Sequence, residues 1–195
     1  DGYYRMPVGG LNVYNNLMQF YEGTEEVLEL FKSSSILQRR IENGRCFAEV
    51  GHPEFKPGMK EQEYVARILQ IRRENICAHI RRLDIDYDYG KNNPEYNNPK
   101  LIGLIGEVKP FGVRGPELQE SFDNPDTDVC FSIRSLIRER LVQRQTIRTI
   151  YHVTNFDWVV EPGLKFATKW HSKFGLENLI DDICFEESTL TNIEK

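Results

Sequence analysis

The stretch "VCFSIRSLIRERLV", residues 129–142, is an apolar run in which Ser132 and Arg134 stand at alternate positions. Successive side chains of a β-strand point to opposite faces, so residues two positions apart lie on the same face. The stretch therefore predicts a strand that carries Ser132 and Arg134 on one face. The segment "TIRTIYHV", residues 146–153, predicts its antiparallel partner, and "NFDWVVEPG", residues 155–163, predicts one more strand.

Outward from these strands, the chain alternates helical and strand-like segments without repeats. "RLDIDYDYG" (82–90) and "LIGLIGEVKPFG" (101–112) predict a hairpin whose long tip is the Asn- and Pro-rich loop 91–100. One further strand is predicted at residues 45–50. Helices are predicted at 23–44 as one helix or a broken pair, near Pro116 as a short helix, and at 172–187, while 60–75 is a helix or a helix-to-strand transition. The pattern predicts an α+β fold with a mostly antiparallel curled sheet or closed β-barrel surrounded by helices.

Composition indicates an ordinary soluble globular chain. The 195 residues are 39% hydrophobic and 28% charged, and eleven Phe with nine Tyr supply bulky core side chains. This length suits a single domain over residues 1–195. The formal net charge of −5 argues against a surface built for nucleic acid, and no run approaches the roughly 18 apolar residues of a membrane span. No secretory signal is recognisable either.

Histidine and serine are the residue types to examine for chemistry. Four histidines are present, of which His52 stands in "FAEVGHPEF" between Gly51 and Pro53, a setting that presents a side chain at the end of a strand. Ser132 is a hydroxyl in an apolar strand, which needs a partner. Cys130 is a rival nucleophile on the same strand, ranked lower because no neighbouring sequence feature lowers its pKa.

Three blocks of sequence together resemble the prohead proteases of tailed bacteriophages. They are Glu49-Val50-Gly51-His52-Pro53, Ser132-Ile133-Arg134, and Phe156-Asp157-Trp158-Val159-Val160-Glu161-Pro162. They match the family patterns E-x-x-H-P, S-x-R and φ-D-x-V-x-x-P in the same order. The resemblance covers residues 44–162, and position 135 departs from it, being Ser where Gly is usual. The family shares a fold with the herpesvirus assemblins, so an assemblin-like fold is expected.

The resemblance implies a serine protease with a catalytic triad. His52 would be the general base, Ser132 the nucleophile and Asp157 the residue that orients the imidazole. Arg134 is expected to support the oxyanion site, whose donors would be backbone amides near the serine or on a neighbouring segment. His152 is the alternative third member, by analogy with the second histidine of the herpesvirus enzymes.

The resemblance also implies where and on what the protein acts. Family members cut scaffold or core proteins and the major capsid protein inside the immature capsid in the host cytoplasm, generally after glutamate, and they process themselves. Self-processing would account for a chain that begins at Asp1. A homo-oligomer that activates on assembly is a further expectation. The alternatives are a capsid-associated scaffold protein without activity and, less favoured, a nucleic-acid-binding module.

Two other patterns have simpler interpretations. Asp84, Asp86, Asp88 and Glu95 occupy positions of a calcium-loop template, but Tyr89 stands where that template demands Gly, so no metal or other cofactor is expected. The arginines between 134 and 148 are expected on a solvated hairpin face. The four widely spaced cysteines are expected to be reduced thiols packed as small hydrophobes.

Overall fold

A computed structural model describes residues 1–170 in full and residues 189–193 as backbone. Its strands are β1 (Tyr4–Leu11), β2 (Val13–Tyr14), β3 (Phe20–Tyr21), β4 (Phe47–Glu49), β5 (Ile76–Asp86), β6 (Ile102–Pro110), β7 (Cys130–Val142), β8 (Gln145–Val159) and β9 (Thr189–Ile193). Its helices are α1 (Glu25–Glu29), α2 (Ile36–Glu42), α3 (Glu61–Leu69), α4 (Tyr89–Asn92) and α5 (Gly115–Asp123), with 3₁₀ turns at Arg73–Asn75 and Pro94–Tyr96. The predicted α+β class is confirmed.

The strands divide into two sheets. One has the order β1-β6-β5-β4 and is antiparallel throughout, and the other has the order β2-β3-β8-β7-β9. In the second sheet β3 runs parallel to β8 and β9 parallel to β7. The sheets meet where Val50, just beyond β4, bridges Trp158 of β8. The predicted curled, mostly antiparallel arrangement is correct in part, but the described strands form two sheets and no closed barrel.

The hairpin of β7 and β8 is the longest element pair in the described residues. Its two-residue turn, Gln143 and Arg144, has positive φ at both positions (47° and 67°), as hairpin turns of type I′ require. The prediction of separate strands at 146–153 and 155–163 was wrong, because β8 runs unbroken from Gln145 to Val159. Thr154 has no partner on β7 at the register shift beside it, and this bulge interrupts the alternation from which the strands were predicted.

The antiparallel pairing of β5 with β6 is confirmed, but β5 lies earlier than predicted. It begins at Ile76 and ends at Asp86, where the Asp88 N–H donates to the Asp86 side chain at 3.0 Å and turns the chain. Tyr87 is therefore exposed, and Tyr89 starts α4 instead of continuing the apolar face. The predicted loop 91–100 contains the end of α4 and a 3₁₀ turn.

The helical predictions in the described part of the chain are largely confirmed. Residues 23–44 form the broken pair α1 and α2, and the Thr24 hydroxyl caps α1 by accepting from the Val27 N–H at 3.3 Å. Helices α3 and α5 lie where helices were expected. No helix within these residues is long and apolar enough to cross a membrane.

Both ends of the chain contain strands that the sequence did not suggest. Strand β1 packs so closely on β7 that a Cβ on Gly9 would lie 2.7 Å from the Ile133 side chain. Towards the other end, residues 189–193 form β9, which pairs with β7. The helix predicted at 172–187 lies outside the described residues.

Candidate active site

His52 is placed by a turn that ends β4 against β8. Gly51 has φ of 69°, a left-handed conformation that glycine adopts without strain, and its N–H donates to the Trp158 carbonyl at 2.7 Å. Beyond the histidine, the Tyr64 hydroxyl donates to the buried Pro53 carbonyl at 3.2 Å. The turn is therefore anchored on both sides of His52.

The Asp157 carboxylate is hydrogen-bonded to the His52 ring. The His52 Nδ1 lies 2.8 Å from the Asp157 Oδ2. Because a carboxylate only accepts hydrogen bonds, Nδ1 carries the proton and Nε2 of the neutral ring is left as an acceptor. The His52 side chain is 4% exposed and that of Asp157 is fully buried. A buried carboxylate bonded to Nδ1 in this way fixes the tautomer and the orientation of the imidazole.

Both oxygens of Asp157 are fully engaged. Oδ1 accepts from the Glu49 backbone N–H at 3.0 Å and from the Asn155 side-chain amide at 2.8 Å, and Oδ2 also accepts from Arg134 Nε at 2.6 Å. Burial alone raises the pKa of this carboxyl, but the Arg134 charge and the His52 hydrogen bond outweigh burial and hold the pKa below its ordinary value. Asp157 is therefore an ionised, rigidly held acceptor.

Arg134 is fully buried behind Asp157. Its Nη1 donates to the Gln70 carbonyl at 3.0 Å and its Nη2 contacts the Glu49 carboxylate. Burial lowers the pKa of the guanidinium, but the two carboxylates outweigh burial and raise it. All three nitrogens are thus directed at Asp157, Glu49 and the backbone. In this arrangement Arg134 acts on the carboxylate of Asp157 rather than on backbone amides near the serine.

Ser132 lies directly opposite Asp157 in the β7–β8 ladder. Opposed residues of an antiparallel pair project to the same face, with Cβ atoms about 5 Å apart. Arg134, two residues further along β7, lies on that face too, so the predicted Ser132, His52, Asp157 and Arg134 are brought to one place. No hydrogen bond joins Ser132 to His52, whose Nε2 is buried without a partner among the described residues. Such contacts are often long in unliganded enzymes.

A small, mostly apolar pocket borders Ser132 at the edge of β7. Its lining includes Tyr21, Ile133, Gly163, Leu164 and Ala167. The Phe131 N–H donates to the Ala167 carbonyl at 3.1 Å, away from β8. Because backbone groups alternate between the two edges of a strand, the amide of Ile133 also faces away from β8, beside this pocket. It is a backbone donor next to Ser132.

The sequence model of the Peptidase S80 family matches residues 1–195. This chain belongs to the Peptidase S80 family. It is also 35% identical over 188 residues to the capsid maturation protease of Pseudomonas phage phiKZ. That alignment covers 94% of this chain and 66% of the relative's length. The resemblance to phage prohead proteases is therefore confirmed at the level of the family. No solved structure matches the chain, so the assemblin-like fold stays a prediction.

The other candidates in this S80 family chain were Cys130 as the nucleophile and His152 as the third member of the triad, and their surroundings favour these roles less. Burial and the neighbouring Asp128 raise the pKa of the Cys130 thiol, which keeps it protonated at neutral pH. His152 lies opposite Leu136, four residue pairs along the ladder from Ser132. Burial and the charge of Arg40 lower the pKa of His152. Its Nε2 is buried without a hydrogen-bond partner among the described residues, and no hydrogen bond of this part of the chain joins His152 to Asp157 or Ser132.

The expected solvated face of arginines is wrong for Arg134 and Arg148, which are buried in ion pairs with carboxylates. Arg140 forms a bidentate pair with Glu22 at 2.7 Å, and the Arg148 Nε donates to Glu139 at 2.8 Å. Asp84 pairs with Arg5 at 2.7 Å. Within residues 1–170, no group of three or more His, Cys, Asp or Glu side chains is placed to hold a metal ion. Cys46, Cys77 and Cys130 are buried free thiols, and Cys184 lies outside the described residues.

The sequence did not indicate that Glu49 and Asn155 support the site. Glu49 is fully buried and contacts Arg134 and Arg67, while Asn155 donates to Asp157 and to the Phe47 carbonyl at 2.9 Å. A signal for Glu49 was present, since a carboxylate inside the apolar strand "FAEV" requires a buried partner. Nothing in the sequence indicated which partner.

Proposed function

We propose that this chain is the proteolytic part of a phage capsid maturation protease and that it is a serine endopeptidase. The observation that carries the proposal is the His52–Asp157 hydrogen bond of 2.8 Å, with Ser132 directly opposite Asp157 on the same face of the hairpin. A serine hydroxyl is a poor nucleophile until a base takes its proton, and a histidine held in one tautomer by a carboxylate supplies that base.

The mechanism follows from the tautomer. His52 Nε2 accepts the Ser132 proton as the hydroxyl oxygen attacks the peptide carbonyl, giving a tetrahedral intermediate and an imidazolium. Asp157 stabilises that imidazolium through Nδ1 and stays ionised. His52 then donates the proton to the leaving amine, and the acyl-enzyme is hydrolysed by water through the same sequence of steps. Attack requires the Ser132 hydroxyl to come within hydrogen-bond reach of Nε2 when substrate binds.

The negative oxygen of the intermediate needs donors that are already in place. The Ile133 amide is the proposed oxyanion donor, because it follows the nucleophile and faces the pocket beside Gly163 and Leu164. A donor of this kind typically contributes about 10²–10³-fold to kcat. The adjoining apolar pocket would receive part of the substrate chain. Arg134 supports catalysis by fixing Asp157.

The substrates are proposed from the relative and from the resemblance. The phiKZ relative is named a capsid maturation protease, and this chain is proposed to cleave capsid and scaffold or core proteins, after glutamate, and itself. The reaction would take place inside the immature capsid in the host cytoplasm. A homo-oligomer formed on assembly would limit activity to that place, because association depends on local concentration.

Co-expression with the capsid and scaffold proteins of the same phage tests the proposal. Wild type is expected to process its partners and Ser132→Ala to leave them intact. Ser121→Ala is the control, since the Ser121 hydroxyl on α5 donates to the Glu117 carbonyl at 3.2 Å and Ser121 is not part of the pocket lining. Unchanged processing by Ser132→Ala would overturn the serine-protease assignment and favour the capsid-associated protein without activity.

A further inference from the structure

Glu49 is a fully buried carboxylate with no direct contact to the His52 ring. Its oxygens accept from Arg67 Nη1 and Nη2, both at 3.1 Å, and from the Arg72 backbone N–H at 3.0 Å, and they also contact Arg134 Nη2. A buried carboxylate is costly unless it is paired and hydrogen-bonded. The Asn75 side-chain amide also donates to it at 3.3 Å, so four residues satisfy this carboxylate and its position is tightly defined.

The charges around Arg134 explain what Glu49 contributes. Arg134 is fully buried and lies between two fully buried carboxylates, with Nε on Asp157 and Nη2 on Glu49. Arg134 Nε and His52 Nδ1 share the Asp157 Oδ2 atom, so without Glu49 the whole guanidinium charge would be balanced at the carboxylate that orients His52. With Glu49 present, Asp157 keeps negative charge for the imidazolium that forms during the reaction.

Arg67 connects this pair of charges to helix α3. Its two terminal nitrogens donate to the two oxygens of Glu49. Nη1 also donates to the Gln70 carbonyl at 2.8 Å, and the same carbonyl accepts from Arg134. The Arg67 side chain is 13% exposed. Planar, bidentate pairs of this kind fix orientation as well as charge.

We propose that Glu49, held by Arg67, is a positioning residue that sets the geometry and charge of the His52–Asp157 pair through Arg134. The proposal rests on the proposed protease function for its effect on catalysis. Its effect on the His52–Asp157 hydrogen bond does not depend on that function. Neither Glu49 nor Arg67 is expected to touch the substrate.

The test compares Glu49→Gln and Arg67→Gln with matched controls. Glu54→Gln and Arg73→Gln make the same chemical changes at exposed positions nearby. We expect kcat to fall about 100-fold for Glu49→Gln and about 10-fold for Arg67→Gln, with KM little changed, because a misplaced base slows chemistry more than binding. In a Ser132→Ala background, the His52 Nδ1 proton resonance is expected to be sharp in both controls and to broaden or shift in both variants.

Two outcomes would overturn the proposal. One is a folded Glu49→Gln protein with wild-type kcat and an unchanged His52 Nδ1 resonance. If Glu49→Gln does not fold, an unchanged resonance and kcat in Arg67→Gln would be equally decisive. Failure of the protease assignment would appear separately, as processing that survives Ser132→Ala, and the resonance would still test the positioning role.

Discussion

Asp157 is the residue on which the geometry of the site depends. Four donors converge on its two oxygens, from His52, Arg134, Asn155 and the Glu49 backbone, so the carboxylate has no freedom to rotate away from the imidazole. Residues of this kind orient a histidine and stabilise its charged form, and their loss in serine proteases costs about 10⁴-fold in kcat. The same contacts make Asp157 important for folding.

Asp157→Asn is expected to destabilise the protein in a pH-dependent way. The pKa of Asp157 is lowered in the folded protein, so its contribution to stability is present above the unfolded pKa of about 3.9 and is lost as pH falls through the folded pKa. At pH 7 the variant should lose about 3–5 kcal/mol of unfolding free energy, because a buried pair is broken. Urea denaturation at pH 7 and below pH 4 measures this loss. A gap from wild type that stays constant or widens on acidification would contradict the assignment.

At the scale of elements, the β7–β8 hairpin and helix α3 together build the site. The hairpin supplies Ser132, Arg134 and Asp157, and α3 packs through Tyr64 and Ile68 against Leu136 in the middle of β7. The sequence predicted the hairpin from its alternating pattern, but it left residues 60–75 as either a helix or a helix-to-strand transition. It could not predict the bulge in β8, because an unpaired residue such as Thr154 changes the phase of the pattern without a local signal.

Ile68→Ala tests the packing of α3 against the hairpin. Ile68 is fully buried, so removing its side chain should cost about 2–4 kcal/mol of unfolding free energy. Its neighbour Leu69 is 43% exposed, and Leu69→Ala should cost about 0.5 kcal/mol or less. Urea denaturation compares the two variants. Equal losses would show that the helix does not pack as described.

At the scale of the whole molecule, the two sheets bring together residues that are distant in sequence. His52 follows strand β4 of one sheet, and Ser132 and Asp157 lie on the hairpin of the other sheet. The two sheets meet where Val50 bridges Trp158. The three catalytic candidates were identifiable from sequence because each lies in a recognisable block of the family. The pairing of Glu49 with Arg67 and Arg134 was not, because a motif gives residue types and leaves their partners unspecified. The N-terminal strand β1 was missed because Gly9 and Gly10 weaken any strand pattern while allowing close packing on β7.

The most direct test of the central claim is covalent labelling of the protein with a fluorophosphonate while it is processing its partners. Such reagents react with a serine that an adjacent base activates. Mass spectrometry is expected to locate one adduct, on Ser132, with processing lost in proportion to labelling, and no adduct in His52→Ala. Processing that continues without an adduct, or an adduct on Ser135 or Cys130 instead, would contradict the account.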